Sequence, residues 1–197
     1  MEYNFFATVA RMKYIERWAL MRNTYPETLS EHSLEVSMLA HALCVIGNVR
    51  YGKHLDADKA AVIGLYHDAS EIITGDMPTP IKYYNPEIRH TYQDIEEKAG
   101  QTLLSMLPEE MRVSYERLFT RQDEDAYLWK LVKAADKLSA YIKCIEEEGT
   151  GNREFVCARE TTLKQLHALD VEEAELFFTY FIDAYGKNLD ELTGEEQ

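Results

Sequence analysis

The sequence predicts an all-α protein built as one domain. Three observations carry that expectation. Apolar residues recur at helical spacing through most of the 197 residues. Helix-start signals stand ahead of several of these stretches. No segment makes a convincing strand, and there is no repeat or low-complexity run. A chain of this length can bury a sizeable core in one unit.

The elements follow in order. Phe5, Phe6, Val9, Met12, Ile15 and Leu20 space as a helix from Asn4 to about Leu20, ending in a stretch that sets Arg17 and Arg22 around Trp18. Thr24–Glu27 is a loop. Thr28-Leu29-Ser30-Glu31 fits a capping box, with Ser30 as the other candidate cap. The helix it opens runs to about Ile46, and His32 shares the inward stripe of Val36, Leu39, Ala40 and Leu43. Gly47–His54 is a connection, and Asp56 is a plausible cap for a helix from Ala57 through His67-Asp68. Glu71 lies one turn beyond His67 and shares its face if that helix continues.

Thr74–Pro80, with its glycine and prolines, breaks the pattern. Asn85-Pro86 opens a helix to about Leu107, and a shorter one spans Pro108–Phe119. After a charged turn at 121–125, a long helix reaches about Glu148, with Leu128, Val132, Ala135 and Ile142 inward and Asp136 beside them. Helices over Glu154–Ala168 and Val171–Tyr185 complete a domain of residues 1–186, and residues 187–197 form an acidic tail. The expected count is seven to nine helices.

Composition excludes some functions. A formal net charge of −14 argues against a nucleic-acid polymer as partner. No run approaches the ~20 apolar residues of a membrane helix, and the first residues lack the pattern of a signal peptide. Cys44, Cys144 and Cys157 are odd in number and far apart, which suits reduced thiols and a cytoplasmic location.

The chemistry centres on His67-Asp68, which ends the uncharged run Ala60–Tyr66. A polar pair at the end of a buried run needs a partner, and a divalent ion is one. Each residue alone also has a structural reading: His32 as a core or capping histidine, Asp136 as half of an ion pair, Trp18 as a core residue flanked by surface arginines. Together, His32, His67, Asp68 and Asp136 offer two imidazoles and two carboxylates from three helices, a set suited to a borderline or moderately hard divalent ion. Such an ion provides Lewis acidity for hydrolysis at neutral pH.

In that order, His32, His67-Asp68 and Asp136 resemble the HD-domain superfamily of metal-dependent phosphohydrolases. Arg17-Trp18, Ser30-Glu31-His32-Ser33, Tyr66–Glu71 and Gly75–Lys82 are more closely similar to the bacterial HD-domain 5′-deoxynucleotidases. The resemblance implies an HD-type bundle of orthogonally packed helices that hydrolyses deoxyribonucleoside 5′-monophosphates. It implies one divalent ion per subunit, cobalt or manganese, on His32, His67, Asp68 and Asp136. Arg17 would hold the phosphate, where His32, Asp68 and Asp136 also meet the substrate. Trp18 would lie against the sugar, Glu71 would exchange protons, and Asp76, Met77, Pro78 and Thr79 would line the deoxyribose site. The implied assembly is a homodimer.

Two alternatives stand beside this reading. One is another HD phosphohydrolase, acting on a nucleoside triphosphate or other phosphoester. Against it, His41, His54, His90 and His167 lie outside any HD-like context, and a triphosphate calls for more basic residues near the site than Arg17, Arg22 and Lys82. The other is a non-catalytic metal-binding helical protein, which would need neither Glu71 nor Arg17.

Overall fold

The computed structural model describes residues 2–82 and 84–194, the side chain of Thr79 excepted. Among the described residues the regular structure is helical, joined by loops and turns, and the one pairing of another kind is an isolated antiparallel bridge between Glu16 and Thr28. The α-helices are α1 (Phe5–Val9), α2 (Leu29–Tyr51), α3 (Ala57–Tyr66), α4 (Glu71–Thr74), α5 (Thr79–Lys82), α6 (Pro86–Ser105), α7 (Glu109–Phe119), α8 (Ala126–Gly149), α9 (Val156–His167), α10 (Glu172–Phe181) and α11 (Leu189–Thr193). They exceed the expected number because α4 restarts after the turn at His67–Ser70, α5 forms at the end of the stretch expected as a break, and α11 forms in the acidic tail.

The core is α2, α3 and α8 packed on one another, with α9 and α10 closing around them. Val36, Leu39, Leu43, Ile63, Leu131, Val132, Leu138 and Ile142 fill it. A smaller apolar cluster of Phe5, Met12, Leu29, Ala69, Leu103 and Leu107 packs α1 and α6 against the start of α2. Helix α3 approaches α2 closely at Gly64: a Cβ there would meet the Ser37 backbone at 3.0 Å.

The local signals explain most boundaries. Thr28, not Ser30, caps α2: its hydroxyl accepts from Glu31 N–H at 3.3 Å, and Thr28 N–H donates to Glu31 Oε2 at 2.7 Å. Asp56 caps α3, accepting from Lys59 N–H at 2.9 Å. Asn85 caps α6, accepting from Ile88 N–H at 2.7 Å, with Pro86 as first residue.

Three expectations are corrected. The first helix does not reach Leu20. It passes into a 3₁₀ turn over Ala10–Tyr14 and then extends, because Arg17 N–H donates to Glu27 O at 2.9 Å and Leu29 N–H to Ile15 O at 2.8 Å. This pairing overrides the apolar period. Helix α2 continues past Ile46 to Tyr51, with Gly47 an interior residue over which Leu55 and Glu173 pack (a Cβ there would lie 2.7 Å from Leu55 Cδ1 and 2.8 Å from Glu173 Oε1), and it ends at Gly52 in a left-handed cap, φ 65°. Helix α3 ends at Tyr66, so His67-Asp68 lie in a tight turn (Ala69 N–H to Tyr66 O 3.0 Å, Glu71 N–H to Asp68 O 2.9 Å) that restarts as α4. In the acidic C-terminal stretch, α11 is a short exposed helix capped by Asn188.

Candidate active site

Four side chains converge where α2, the turn after α3 and α8 meet. His32, His67, Asp68 and Asp136 each present a donor atom within 4.8 Å of the others. His32, in the first turn of α2, is fully buried. Its Nδ1 is 3.0 Å from Ser139 Oγ, and Ser139 Oγ–H donates to Glu35 Oε2 at 2.6 Å. The hydroxyl proton is thus committed, so His32 Nδ1–H is the donor to Ser139. His67 Nδ1 lies 2.7 Å from Gly64 O, which can only accept.

In each neutral ring this leaves the Nε2 lone pair facing the cluster. Both Nε2 atoms are buried without a hydrogen bond. Carboxylate oxygens stand near them: Asp136 Oδ1 3.3 Å and Asp68 Oδ2 3.6 Å from His32, and Asp68 Oδ2 3.0 Å from His67. Lone pairs opposed to carboxylates repel unless a proton or cation lies between them. The electrostatics say the same. Burial disfavours a charged His67, yet Asp68 and then Asp136 outweigh it and push its pKa up. Burial also opposes ionisation of Asp68, but His67 and His32 hold that carboxyl well below the usual range. For Asp136, Lys137 (Nζ 2.8 Å from Oδ2) and His32 do so. Two oriented imidazoles and two ionised carboxylates fit a divalent cation, and the hydrogen bonds from Nδ1 are the kind that orient metal-ligating histidines.

Arg17 and Trp18 reach the cluster from the extended loop after the 3₁₀ turn. Trp18 has φ 59°, a left-handed conformation that costs a bulky residue on the order of 1–3 kcal/mol. It is held there by contacts. Its indole packs at 5.4 Å on Phe155, and its Nε1–H donates to Glu27 Oε2 at 2.9 Å. The same oxygen accepts from Arg17 Nε–H at 3.0 Å, and Arg17 Nη1 comes within 3.7 Å of Asp68 Oδ2. Arg17 is therefore mostly buried beside the cluster, whereas Arg22 is exposed and pairs with Glu154.

Glu71 arrives through the turn, not along a continuous helix face as its spacing from His67 suggested. It is buried, and its Oε2 has no hydrogen-bond partner. Burial, Asp68 and Asp76 push its pKa up to about 9, against the pull of Lys82, whose Nζ is 4.0 Å from Oε1. Asp76, Met77 and Pro78 line a cavity of about 540 Å³ together with Arg17, Trp18 and Asp136. The loop turns at Gly75 (φ 74°), whose carbonyl accepts from Tyr92 Oη–H at 3.2 Å. Burial raises the pKa of Asp76, while Arg17 lowers it. Thr79 starts α5, and its side chain lies outside the described residues. His41, His90 and His167 lie apart, on exposed surface near Asp58, Asp94 and Glu175.

Sequence reasoning missed Glu27, Ser139 and Lys137. Ser139, one turn after Asp136 on the buried side of α8, had a periodic signal. Glu27 had none, because its position depends on how the loop folds back.

Comparison with known proteins agrees with this geometry. A family model described as 5′-deoxynucleotidase YfbR-like matches residues 4–185. A 5′-deoxynucleotidase of Erwinia tasmaniensis is 44% identical over 192 residues, covering 98% of this chain and 97% of the relative. One from Pectobacterium atrosepticum is 46% identical over 194 residues, covering 96% of each. Among solved structures, an HD-domain phosphohydrolase from Listeria innocua superposes with TM-score 0.81 at 21% identity, covering 98% of this chain and 96% of that one. A cyanophage S-2L HD phosphohydrolase, solved with dA and one catalytic Zn²⁺ ion, gives TM-score 0.64 at 21% identity, covering 93% and 99%.

Proposed function

The chain belongs to the YfbR-like 5′-deoxynucleotidase family, and from that premise we propose how its residues serve a metal-dependent phosphoric monoester hydrolase that converts deoxyribonucleoside 5′-monophosphates to deoxyribonucleoside and phosphate. One observation carries the assignment: two oriented histidine lone pairs and two ionised carboxylates meet beside a buried arginine, and that arginine and Asp136 line a nucleotide-sized cavity.

His32, His67, Asp68 and Asp136 would hold the ion, which when bound supplies Lewis acidity toward phosphoryl oxygen and water. The N2O2 donor set suits cobalt or manganese. Arg17 neutralises and orients the phosphate from the other side, as charge stabilisation of phosphoryl transfer requires. Burial, with Asp68 and Asp76 beside it, raises the affinity of the Glu71 carboxylate for a proton. Glu71 serves as the acid toward the leaving 5′-oxygen and exchanges protons with water. Trp18 stands beside the sugar and crowds a 2′-hydroxyl. Asp76 receives the 3′-hydroxyl, and Met77, Pro78 and Thr79 complete the deoxyribose wall.

The reading extends to assembly and location. Leu34, Met38, Val45 and Val49 are exposed and fall on one face of α2, which supports a homodimer. No helix among the described residues is long and apolar enough to cross a membrane. The free cysteines support a cytoplasmic site of action.

The test is free-phosphate release from deoxy- and ribonucleoside mono-, di- and triphosphates, with metal-stripped protein reloaded with cobalt, manganese, zinc or magnesium. Deoxynucleoside monophosphates should lead. Preference for a triphosphate would favour another phosphohydrolase, and no release under any metal would leave only a metal-binding role.

A further inference from the structure

We propose that Glu27 is the positioning residue that sets the angle between the phosphate-holding arginine and the sugar-facing tryptophan, and so couples phosphate binding to deoxyribose selectivity. The inference rests on the roles just proposed for Arg17 and Trp18. Its basis is a single atom: Glu27 Oε2 accepts from Arg17 Nε–H at 3.0 Å and from Trp18 Nε1–H at 2.9 Å.

The backbone brings this about. Arg17 and Glu27 face each other where the two ends of the loop pair, with Arg17 N–H donating to Glu27 O at 2.9 Å. Glu27 is only 9% exposed. Its acidic neighbours gain nothing from it: burial raises the pKa values of Glu35 and Glu146, and the charge of Glu27 adds to that rise. A buried carboxylate in acidic surroundings is costly unless cationic or N–H donors satisfy it, and its bonded donors are Arg17 and Trp18.

The geometry has a directional consequence. With Nε bound to Glu27, the guanidinium can turn only about that bond, and its Nη edge is aimed across the cluster, Nη1 lying 3.7 Å from Asp68 Oδ2. With Nε1 bound, the indole cannot flip on Phe155. An arginine fork holds an anion well only in a fixed plane. A wall discriminates only if the sugar cannot slide away from it. Both conditions depend on the same oxygen. Without the carboxylate the two groups turn independently, and Arg17 is free to close the remaining gap to Asp68.

The experiment compares kcat/KM for dAMP and AMP in wild type, Glu27→Gln, Glu27→Ala, Trp18→Phe and the Glu27→Gln/Trp18→Phe double variant, with bound metal and Tm measured in each. The expected result is a dAMP-to-AMP ratio that falls at least tenfold in Glu27→Ala at unchanged metal content, with Glu27→Gln intermediate. Glu27→Gln should change the ratio less in the Trp18→Phe background, where the indole donor is already gone. A wild-type preference for dAMP that survives in Glu27→Ala and Glu27→Gln overturns the inference and leaves the deoxynucleotidase reading standing. A wild-type ratio near one overturns both. If Glu27→Ala does not fold, the Gln variant and the double variant decide, and strictly additive effects there reject coupling through Trp18.

Discussion

The two halves of the site are held in different ways. His32, His67, Asp68 and Asp136 stand on the ends and faces of packed helices, and His32 and His67 are each fixed by a second hydrogen bond, to Ser139 Oγ and to Gly64 O. Arg17 and Trp18 stand on a loop with a left-handed tryptophan, fixed by Glu27 and, farther along, by Glu147, which accepts from Thr24 N–H at 2.9 Å and Tyr25 N–H at 3.2 Å. The helical half gains its rigidity from burial of apolar surface. The loop half gains it from a few charge-assisted hydrogen bonds. Damage should therefore show differently: as loss of metal and all activity in one half, and in the other as lost phosphate orientation and sugar selectivity with the metal retained.

The largest effect tests the helical half. His67→Ala and Asp136→Ala should each lose bound metal and lower phosphate release by on the order of 10³-fold or more, the scale of several kcal/mol of lost charge stabilisation. Full metal occupancy in both variants would dissolve the contrast at its source.

Glu71 lies between the halves. Glu71→Gln should keep the ion and bind dAMP, while kcat falls by about 10²–10⁴-fold, the usual worth of a general acid or base. A wild-type kcat would exclude the proton-transfer role.

The loop half is tested by Trp18→Ala. Activity on ribonucleotides should rise relative to deoxyribonucleotides by roughly tenfold to two-hundredfold, the equivalent of about 1–3 kcal/mol of relieved crowding, even as total activity falls. Equal losses on both sugars would show Trp18 to be packing alone.

The smallest effect sharpens the comparison from behind the metal. Ser139→Ala removes the hydrogen-bond partner of His32 Nδ1 without touching the cluster, and metal affinity should weaken by about 10–100-fold with the dAMP-to-AMP ratio unchanged. A changed sugar ratio would mean the halves are coupled through α8, contrary to the division drawn here.

The same division marks what the sequence alone could tell. His32 beside Val36 and Leu39, and Asp136 beside Ala135, were visible because helical periodicity fixes which residues share a face. The helix caps Thr28, Asp56 and Asn85 were visible because their hydrogen bonds are local. The end of the first helix was not. Its apolar spacing continued through Ile15 and Leu20, and only pairing with residues 27–29, ten to fourteen positions away, turned the chain. Glu27 was invisible for the same reason, whereas the break after Tyr66 that brings Glu71 in through a turn is made by local hydrogen bonds with no glycine or proline to mark it. Arg17 and Trp18 were identified by resemblance, and no local rule indicated a left-handed tryptophan.

Gly64 carries a consequence for how this enzyme can change. Its missing Cβ lets α3 sit against the Ser37 backbone of α2, and its carbonyl receives the Nδ1–H of His67. A methyl group there would meet the Ser37 backbone at 3.0 Å, so the two helices would have to give by a few tenths of an ångström, and the His67 ring held by that carbonyl would move with them. The position has no side chain and no chemistry of its own, yet it is under the constraint of an active-site residue. A survey of tolerated substitutions should find it as intolerant as the histidine three residues away.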